Sequence, residues 1–543
     1  MLADIPQRTL AARAETASGF SRLLTRLHRR LNAIRSLCPD LPVLAIFWLH
    51  LKHPLHPVQE ELLALLKAPG VRPKRNWILT LTRLTADWFV AGTRCKLYAM
   101  ALTWRICRIR WAFRKERHAL AKQSFPVIAK TWGFSFDLAK KEIDFYFGDL
   151  QARLRQRGIS MLMLCGNAGI LDSLSFGKAY TSTAFPFRLP ELCLLRVWDP
   201  WHMFFRQLIA AWKLWRPALR AADPVLRRAL VLAARDVLAP QTLRDALFFS
   251  IAQTACRQWK PKAFLTLYEG HAWEKCAWAG AKSGFSSTCT AGYQHTVLFQ
   301  ESLAMTQPYI DSPERSLPDL VLGIGDVPLD LLRPSHEPHG CRLVRLGSFR
   351  FQKGQSSEPA SPARRRILVT PEGMLPEMKA LFGFTYRAAR SIPWATFVIR
   401  THPAMPLKHV LPELPEDFLR LPNIAVTQEK DISADFRRSS CILYRGSSTV
   451  LYAIFEGLRP VCLSVPGMID TDPLYDLQSW REHCVTPEAL AELLKQDEGL
   501  APEDRQAQWR EAADYVARYT MPVDDSTIDR MLEAAGLSER VPS

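Results

Sequence analysis

Two stretches in the last third of the 543-residue chain carry residue types suited to holding an anion. Phe397-Val-Ile-Arg-Thr-His-Pro403 reads as a short buried strand that stops at Arg400, His402 and the helix-breaking Pro403. About forty residues on, Cys441-Ile-Leu-Tyr444 runs into Arg445-Gly446-Ser447-Ser448-Thr449 and an apolar helix through Phe455. In a parallel α/β sheet both strand ends open on one crevice, where hydroxyls, cations and backbone N–H groups can grip a phosphate. Each motif alone has an ordinary explanation, because X-Pro ends strands and Ser/Thr cap helices. Their order and spacing within one α/β unit favour a shared phosphate site. Thr370-Pro-Glu372-Gly373 follows a further strand and opens a helix, so Glu372 and Gly373 join the same candidate set. The competing reading of Glu372 is an acid offsetting the helix dipole.

A second kind of chemistry, removal of a proton from a hydroxyl, points to the middle of the chain. Tyr268-Glu269-Gly270-His271 follows the strand-like Ala263-Phe-Leu-Thr-Leu267, and Glu269 is placed as a general base or, equally, as a cap. Gly292-Tyr-Gln-His295-Thr296 puts His295 at another strand end, as a second candidate base or a satisfied buried histidine. Asp470-Thr-Asp472 has the D-x-D spelling of metal-dependent sugar transferases, but beside Pro473 it reads as a loop turn.

The elements that must position these groups follow from composition and pattern. The chain is 48% hydrophobic and 10% aromatic, the composition of a folded protein, and is long enough for two or three domains. Its net charge of +18 is concentrated at the front, with 25 Lys+Arg against 11 Asp+Glu in residues 1–150. Such a front end implies an anionic surface. Twelve singly scattered cysteines indicate neither a zinc site nor a disulfide framework, and point to a reducing compartment. The start lacks a signal-peptide pattern and no apolar run is long enough to span a bilayer, so a cytoplasmic protein is expected.

Residues 1–150 read as a helical, basic extension. Within it, Leu97, Met100, Trp104, Cys107 and Trp111 form a helical stripe among arginines, read preferentially as core-facing and alternatively as membrane-lying. The segment Trp198 to Arg220 has the same character. From Ile159 strands alternate with helices, with Ile159 to Leu164 as the expected first strand of a domain over 151–350. Phe351 to Arg365 is a Gly/Ser/Pro-rich linker, and a second α/β domain is expected over 366–543.

With these residues in view, the region 262–495 resembles bacterial GT-B glycosyltransferases of surface polysaccharide (O-antigen and capsule) synthesis. The resemblance rests on Tyr268 to Glu274, Gly292 to Thr296, Pro318 to Gly323, Leu346 to Arg350, Arg400 to Pro403, and Ser447-Ser448 followed by Gly457 to Pro460. It implies two Rossmann-like domains, with acceptor on the first and nucleotide-sugar donor on the second, and neither cofactor nor metal. Similarity to the bacterial sialyltransferase and polysialyltransferase group implies Glu269 as base, His402, Ser447 and Ser448 on the donor phosphate, and a CMP-sugar donor. Similarity to the teichoic-acid polymerases implies His295 as base and, as an alternative reaction, transfer of an alcohol phosphate from a CDP-alcohol. The acceptor expected is a glycan or lipid-linked glycan at the inner face of the plasma membrane. A catalytically inactive basic scaffold or nucleic-acid-binding protein is the remaining alternative, against which no RNA-binding signature is present.

Overall fold

The computed structural model describes residues 77–537, apart from 169–171, 222, 301, 307–316, 352–355, 357, 403–404 and 466–469. Its strands form two sheets. The first contains β1 (Val127–Gly133), β2 (Met161–Asn167), β3 (Arg188–Pro190), β4 (Ala263–Leu267), β5 (Cys289–Gln294), β6 (Leu320–Gly323) and β7 (Arg342–Arg345), in the order β3-β2-β1-β4-β5-β6-β7. The second contains β8 (Arg366–Thr370), β9 (Thr396–Ile399), β10 (Ile424–Val426), β11 (Cys441–Tyr444), β12 (Arg459–Leu463) and β13 (Glu482–Cys484), in the order β10-β9-β8-β11-β12-β13. Every neighbouring pair is parallel. Both faces of a parallel sheet are covered by its crossovers, which is why β2 and β11 are continuous buried runs rather than alternating ones.

Each sheet begins at an inner strand, grows outward, then restarts on the other side. The order therefore reverses between β1 and β4 and again between β8 and β11. Loops leaving the two strands at such a reversal diverge to opposite faces and open a crevice at the carboxyl edge. This is the pair of Rossmann-like α/β domains expected from the sequence.

Two boundaries differ from expectation. The first domain includes β1, which lies inside the stretch 1–150 and pairs with both β2 and β4. A lysine hid it: Lys130 sits mid-strand and is 1% exposed. Its ammonium lies over the rings of Trp132 and Trp273 and 4.0 Å from Glu191. Burial drives its pKa well below the ordinary value, against the pull of Glu191. At the other end, the chain after the helix Pro502–Tyr519 returns to the first domain. Met521 donates its N–H to Ile324 and accepts from the Ser348 N–H, and Arg157 pairs with Asp525 and Asp529 of the helix Asp525–Ala534.

The 36-residue helix Trp77–Ala112 also belongs to the first domain. It buries Cys95, Ala99, Leu102, Ile106, Ile109 and Phe113, which just follows its last turn, at alternating spacings of four and three. The stripe expected to face the core lies elsewhere: Leu97, Met100, Trp104 and Trp111 are 59%, 49%, 65% and 72% exposed, and Cys107 is half-buried. Both stripes have helical period, so periodicity alone does not choose between them; the small and aliphatic set packs. The helix Asp199–Arg220 lies against the long helix, with Cys95 Sγ donating to Gln207 at 3.4 Å. It too buries Phe204 while leaving Phe205 and Trp212 exposed, with Trp201 and Trp215 half-buried.

Candidate active site

β8 lies between β9 and β11, so its outgoing loop sits between the two expected phosphate motifs. A Cβ on Gly373 would lie 2.6 Å from His402 Nδ1. A Cβ on Gly446, whose φ is +67°, would lie 2.6 Å from a carboxylate oxygen of Glu372. Glycine at both places lets imidazole and carboxylate pack directly on backbone. His402 and the Gly446 turn thus meet through Glu372-Gly373, at the crevice where the strand order reverses. Ser447 is buried and accepts from the Thr449 N–H at 3.3 Å, while Ser448 is exposed. The helix this turn opens, Thr449–Phe455, has seven residues, so anion holding falls on side chains and turn backbone more than on a helix end. Pro403 lies outside the described residues.

Arg400 is engaged by protein groups. Its guanidinium is 2.6 Å from Asp435 Oδ2 and donates to the carbonyls of Glu429 and Lys430 at 3.1 and 2.9 Å. Asp435 is fully buried, so this pair clamps the loop after β10 rather than offering a cation to a ligand. Arg445 is likewise structural: both it and its partner Glu377 are buried, and it donates to the Leu463 carbonyl at 3.2 Å.

Two groups of the second domain escaped the sequence reading. The hydroxyls of Thr370, at the end of β8, and Thr471 are buried without a hydrogen-bond partner among the described residues. A Cβ on Gly446 would be 3.2 Å from Thr471 Oγ1, so this hydroxyl belongs to the same crevice. Thr471 is the middle residue of the D-x-D spelling. Its neighbour Asp472 accepts from Tyr444 OH at 2.6 Å and from Arg481 Nε at 2.7 Å, and lies 3.1 Å from His483 Nε2. Burial opposes its ionisation, yet His483 and Arg481 hold its carboxyl well below the usual range. Cys462, Asp472 and His483 are close enough together to hold a metal ion, but the Asp472 oxygens are already met by these three side chains.

In the first domain, Glu269 follows β4 and His295 follows β5, neighbouring strands beside the other reversal. The capping role considered for Glu269 falls to Glu274, whose carboxylate accepts from the N–H groups of Glu269, Gly270 and His271 at 2.9 to 3.0 Å. The Glu269 carboxylate instead faces two imidazoles, His295 Nε2 at 2.8 Å and His271 Nε2 at 3.5 Å. Burial disfavours the charged form of His271, but the hydrogen bond to Glu269 and the charge of Glu274 raise its pKa above the ordinary value. On the other side of His295, Arg350 Nη2 lies 3.1 Å from Nδ1 and donates to the His295 carbonyl at 3.0 Å. The Tyr146 ring packs edge-on against the imidazole, centroids 4.7 Å apart. Glu269 and His295 are therefore parts of one carboxylate–imidazole unit rather than rivals.

The two halves are joined. Tyr452, on the helix opened by the Ser447–Thr449 turn, donates its hydroxyl to the Arg350 carbonyl at 3.2 Å. One residue thus holds the candidate base and touches the candidate donor helix.

No family model and no curated protein matches the chain. Among solved structures it is similar to the α,α-trehalose 6-phosphate synthase of Burkholderia multivorans, at 11% identity and TM-score 0.44 over 76% of this chain and 98% of that one. It is similar also to the glycotransferase of kitacinnamycin, at 13% identity and TM-score 0.40 over 76% and 100%. A third is the UDP-GlcNAc 2-epimerase of Neisseria meningitidis bound to UDP-GlcNAc, at 12% identity and TM-score 0.41 over 75% and 99%.

Proposed function

We propose that the chain is a glycosyltransferase that moves a sugar from a nucleotide-activated donor to a hydroxyl of a growing surface polysaccharide or lipid-linked glycan. The observation that supports this reading is a carboxylate–imidazole pair beside one strand-order reversal and, at the other, the His402 imidazole and the Thr471 hydroxyl gathered around the Gly373 and Gly446 backbone, with Arg350 and Tyr452 linking the two. The acceptor occupies the first domain and the donor the second. Glu269, oriented by His295 and His271, takes the proton of the acceptor hydroxyl as its oxygen bonds to the anomeric carbon. The bond from that carbon to the phosphate oxygen breaks, and inversion follows from the single displacement. His402, Ser447, Ser448, Thr370 and Thr471 stabilise the negative charge growing on the departing phosphate, where preorganised donors act most strongly. Thr449 and the backbone of Gly446 complete that cradle. Glu372 suits a ribose hydroxyl better than a phosphate, since a carboxylate only accepts. In this reading no step requires a divalent metal, and the donor favoured by resemblance is a CMP-sugar.

A membrane partner is supported by the exposed aromatics of two helices packed on each other, Trp104, Trp111, Phe205 and Trp212, with exposed Arg94, Lys96, Arg105, Arg108, Lys213 and Arg216 among them. No described helix is long and apolar enough to cross a membrane. A panel of CMP, CDP, UDP, GDP and dTDP tested by thermal shift checks the proposal. One nucleotide should raise Tm in a manner lost in His402→Ala, and failure of all five sinks the donor site. Labelled donors then separate transfer of a sugar from transfer of an alcohol phosphate.

A further inference from the structure

A cavity of about 590 Å³ lies between the long helix Trp77–Ala112 and the carboxyl ends of β2 and β3, with the helix Pro240–Trp259 as its third wall. This volume is within the usual range for a bound small molecule. Its walls are hydrocarbon, from Leu102, Ile109, Leu195, Phe248 and Ile251. Its cations are Arg105, Arg108 and Arg244. Neither Arg105 nor Arg108 has an ion-pair partner among the described residues, whereas Arg244 lies over the Trp132 ring and donates to the Asn167 carbonyl at 3.3 Å. Two carboxylates share the space. Asp172 is occupied with the N–H groups of Leu174 and Ser175. Glu191 is 6% exposed, its Oε2 is buried without a hydrogen-bond partner among the described residues, and its nearest cation, Lys130, stands 4.0 Å away.

A free sugar would leave most of its hydroxyls against hydrocarbon, which is costly. A plain hydrocarbon would leave the Arg105 and Arg108 guanidiniums without a counter-charge and a buried carboxylate oxygen unanswered. The combination suits a molecule with both parts. We propose that this cavity binds the phosphate-bearing end of an amphiphile: chain against Leu102, Leu195 and Phe248, phosphate among Arg105, Arg108 and Arg244, and a headgroup hydroxyl donating to Glu191. Trp104, 65% exposed, also lines the cavity, and in this proposal the chain leaves past it toward the exposed aromatic stripe. The helix Pro240–Trp259, one wall of the cavity, packs on the helix Ala272–Gly284, which begins just after Glu269 and His271. The inference rests on the transferase reading and narrows its acceptor to a lipid-linked phosphate.

The test titrates the full chain with dodecyl phosphate below its micelle concentration, with dodecanol and inorganic phosphate as the two separate halves. Saturable one-to-one binding of dodecyl phosphate, at least tenfold tighter than either half, is expected. The double variant Arg105→Ala/Arg108→Ala should weaken it at least tenfold. Ala101→Trp, placed on the cavity wall at an exposed helix position, should abolish it while Tm stays unchanged. Equal affinity for dodecanol or for phosphate alone, or an undiminished double variant, overturns the proposal. A nucleotide thermal shift without amphiphile binding leaves the transferase and removes this site; amphiphile binding without any nucleotide shift does the reverse.

Discussion

Glu269 acquires its place through Glu274. A sequence shows two acids five residues apart; only the backbone path shows that the second binds three N–H groups and leaves the first turned to His271 and His295. If Glu269 and His295 act as one unit, their losses do not add. Glu269→Gln and His295→Ala should each lower kcat by about 10²-fold to 10⁴-fold, and the double variant should be little worse than the poorer single one. Nucleotide-induced thermal shifts should be unchanged in all three. Multiplicative losses in the double variant would separate the two groups again. Asp472 offers a different residue-scale test, in stability. Its folded carboxyl is held below the unfolded value of about 3.9, so its contribution is present above that pH and is lost as pH falls through the folded value. Asp472→Asn, which leaves Arg481 without its counter-charge, should cost about 3 kcal/mol at pH 7 by chemical denaturation. The deficit should shrink as pH falls below about 4, and a deficit independent of pH would assign it to packing.

At the scale of elements, much of the second domain was legible because its strands are apolar runs ended by turn residues. β11 has the expected bounds, and β9 begins one residue before the expected Phe397. Three strands were missed for identifiable reasons. β3 and β13 have three residues each, too few for a pattern, and β1 is interrupted by Lys130, whose charge is housed by two tryptophan rings and a glutamate far away in sequence. The order of the two motifs brings His402 and the Gly446 turn to one loop, but the Asp435 partner of Arg400 was not legible, because a cation at a strand end looks the same whether it meets a ligand or a buried carboxylate. Thr471 was passed over because its loop reads as a turn. The Gly446 turn shows what the element requires. Its φ of +67° costs a Cβ-bearing residue about 1–2 kcal/mol, and the added carbon would press on Glu372. Gly446→Ala should therefore lower Tm by several degrees and abolish the nucleotide-induced shift, whereas Gly340→Ala, with φ of +79° and open space around it, should lower Tm alone. Equal nucleotide responses in both would detach the turn from the donor site.

The whole molecule decides how membrane binding has to be tested. Removing residues 1–120 would take away a helix whose Cys95, Ala99, Ile106 and Ile109 are in the core, so any change in location would report unfolding. Substitution on the exposed face avoids this. Trp104, Trp111 and Trp212 are 65%, 72% and 57% exposed, and replacing them with alanine should leave Tm nearly unchanged. If each buries half its surface in a bilayer interface, each contributes about 1 kcal/mol. The triple variant should then bind vesicles containing anionic lipid roughly 100-fold more weakly. Binding by the unaltered chain should weaken between low and physiological salt, because the flanking Arg and Lys act within a Debye length of about 8 Å. A triple variant that binds as before rules out this face as the contact. Stronger vesicle binding after deletion of residues 1–76 alone would show instead that this face is covered by its own chain until that segment is displaced.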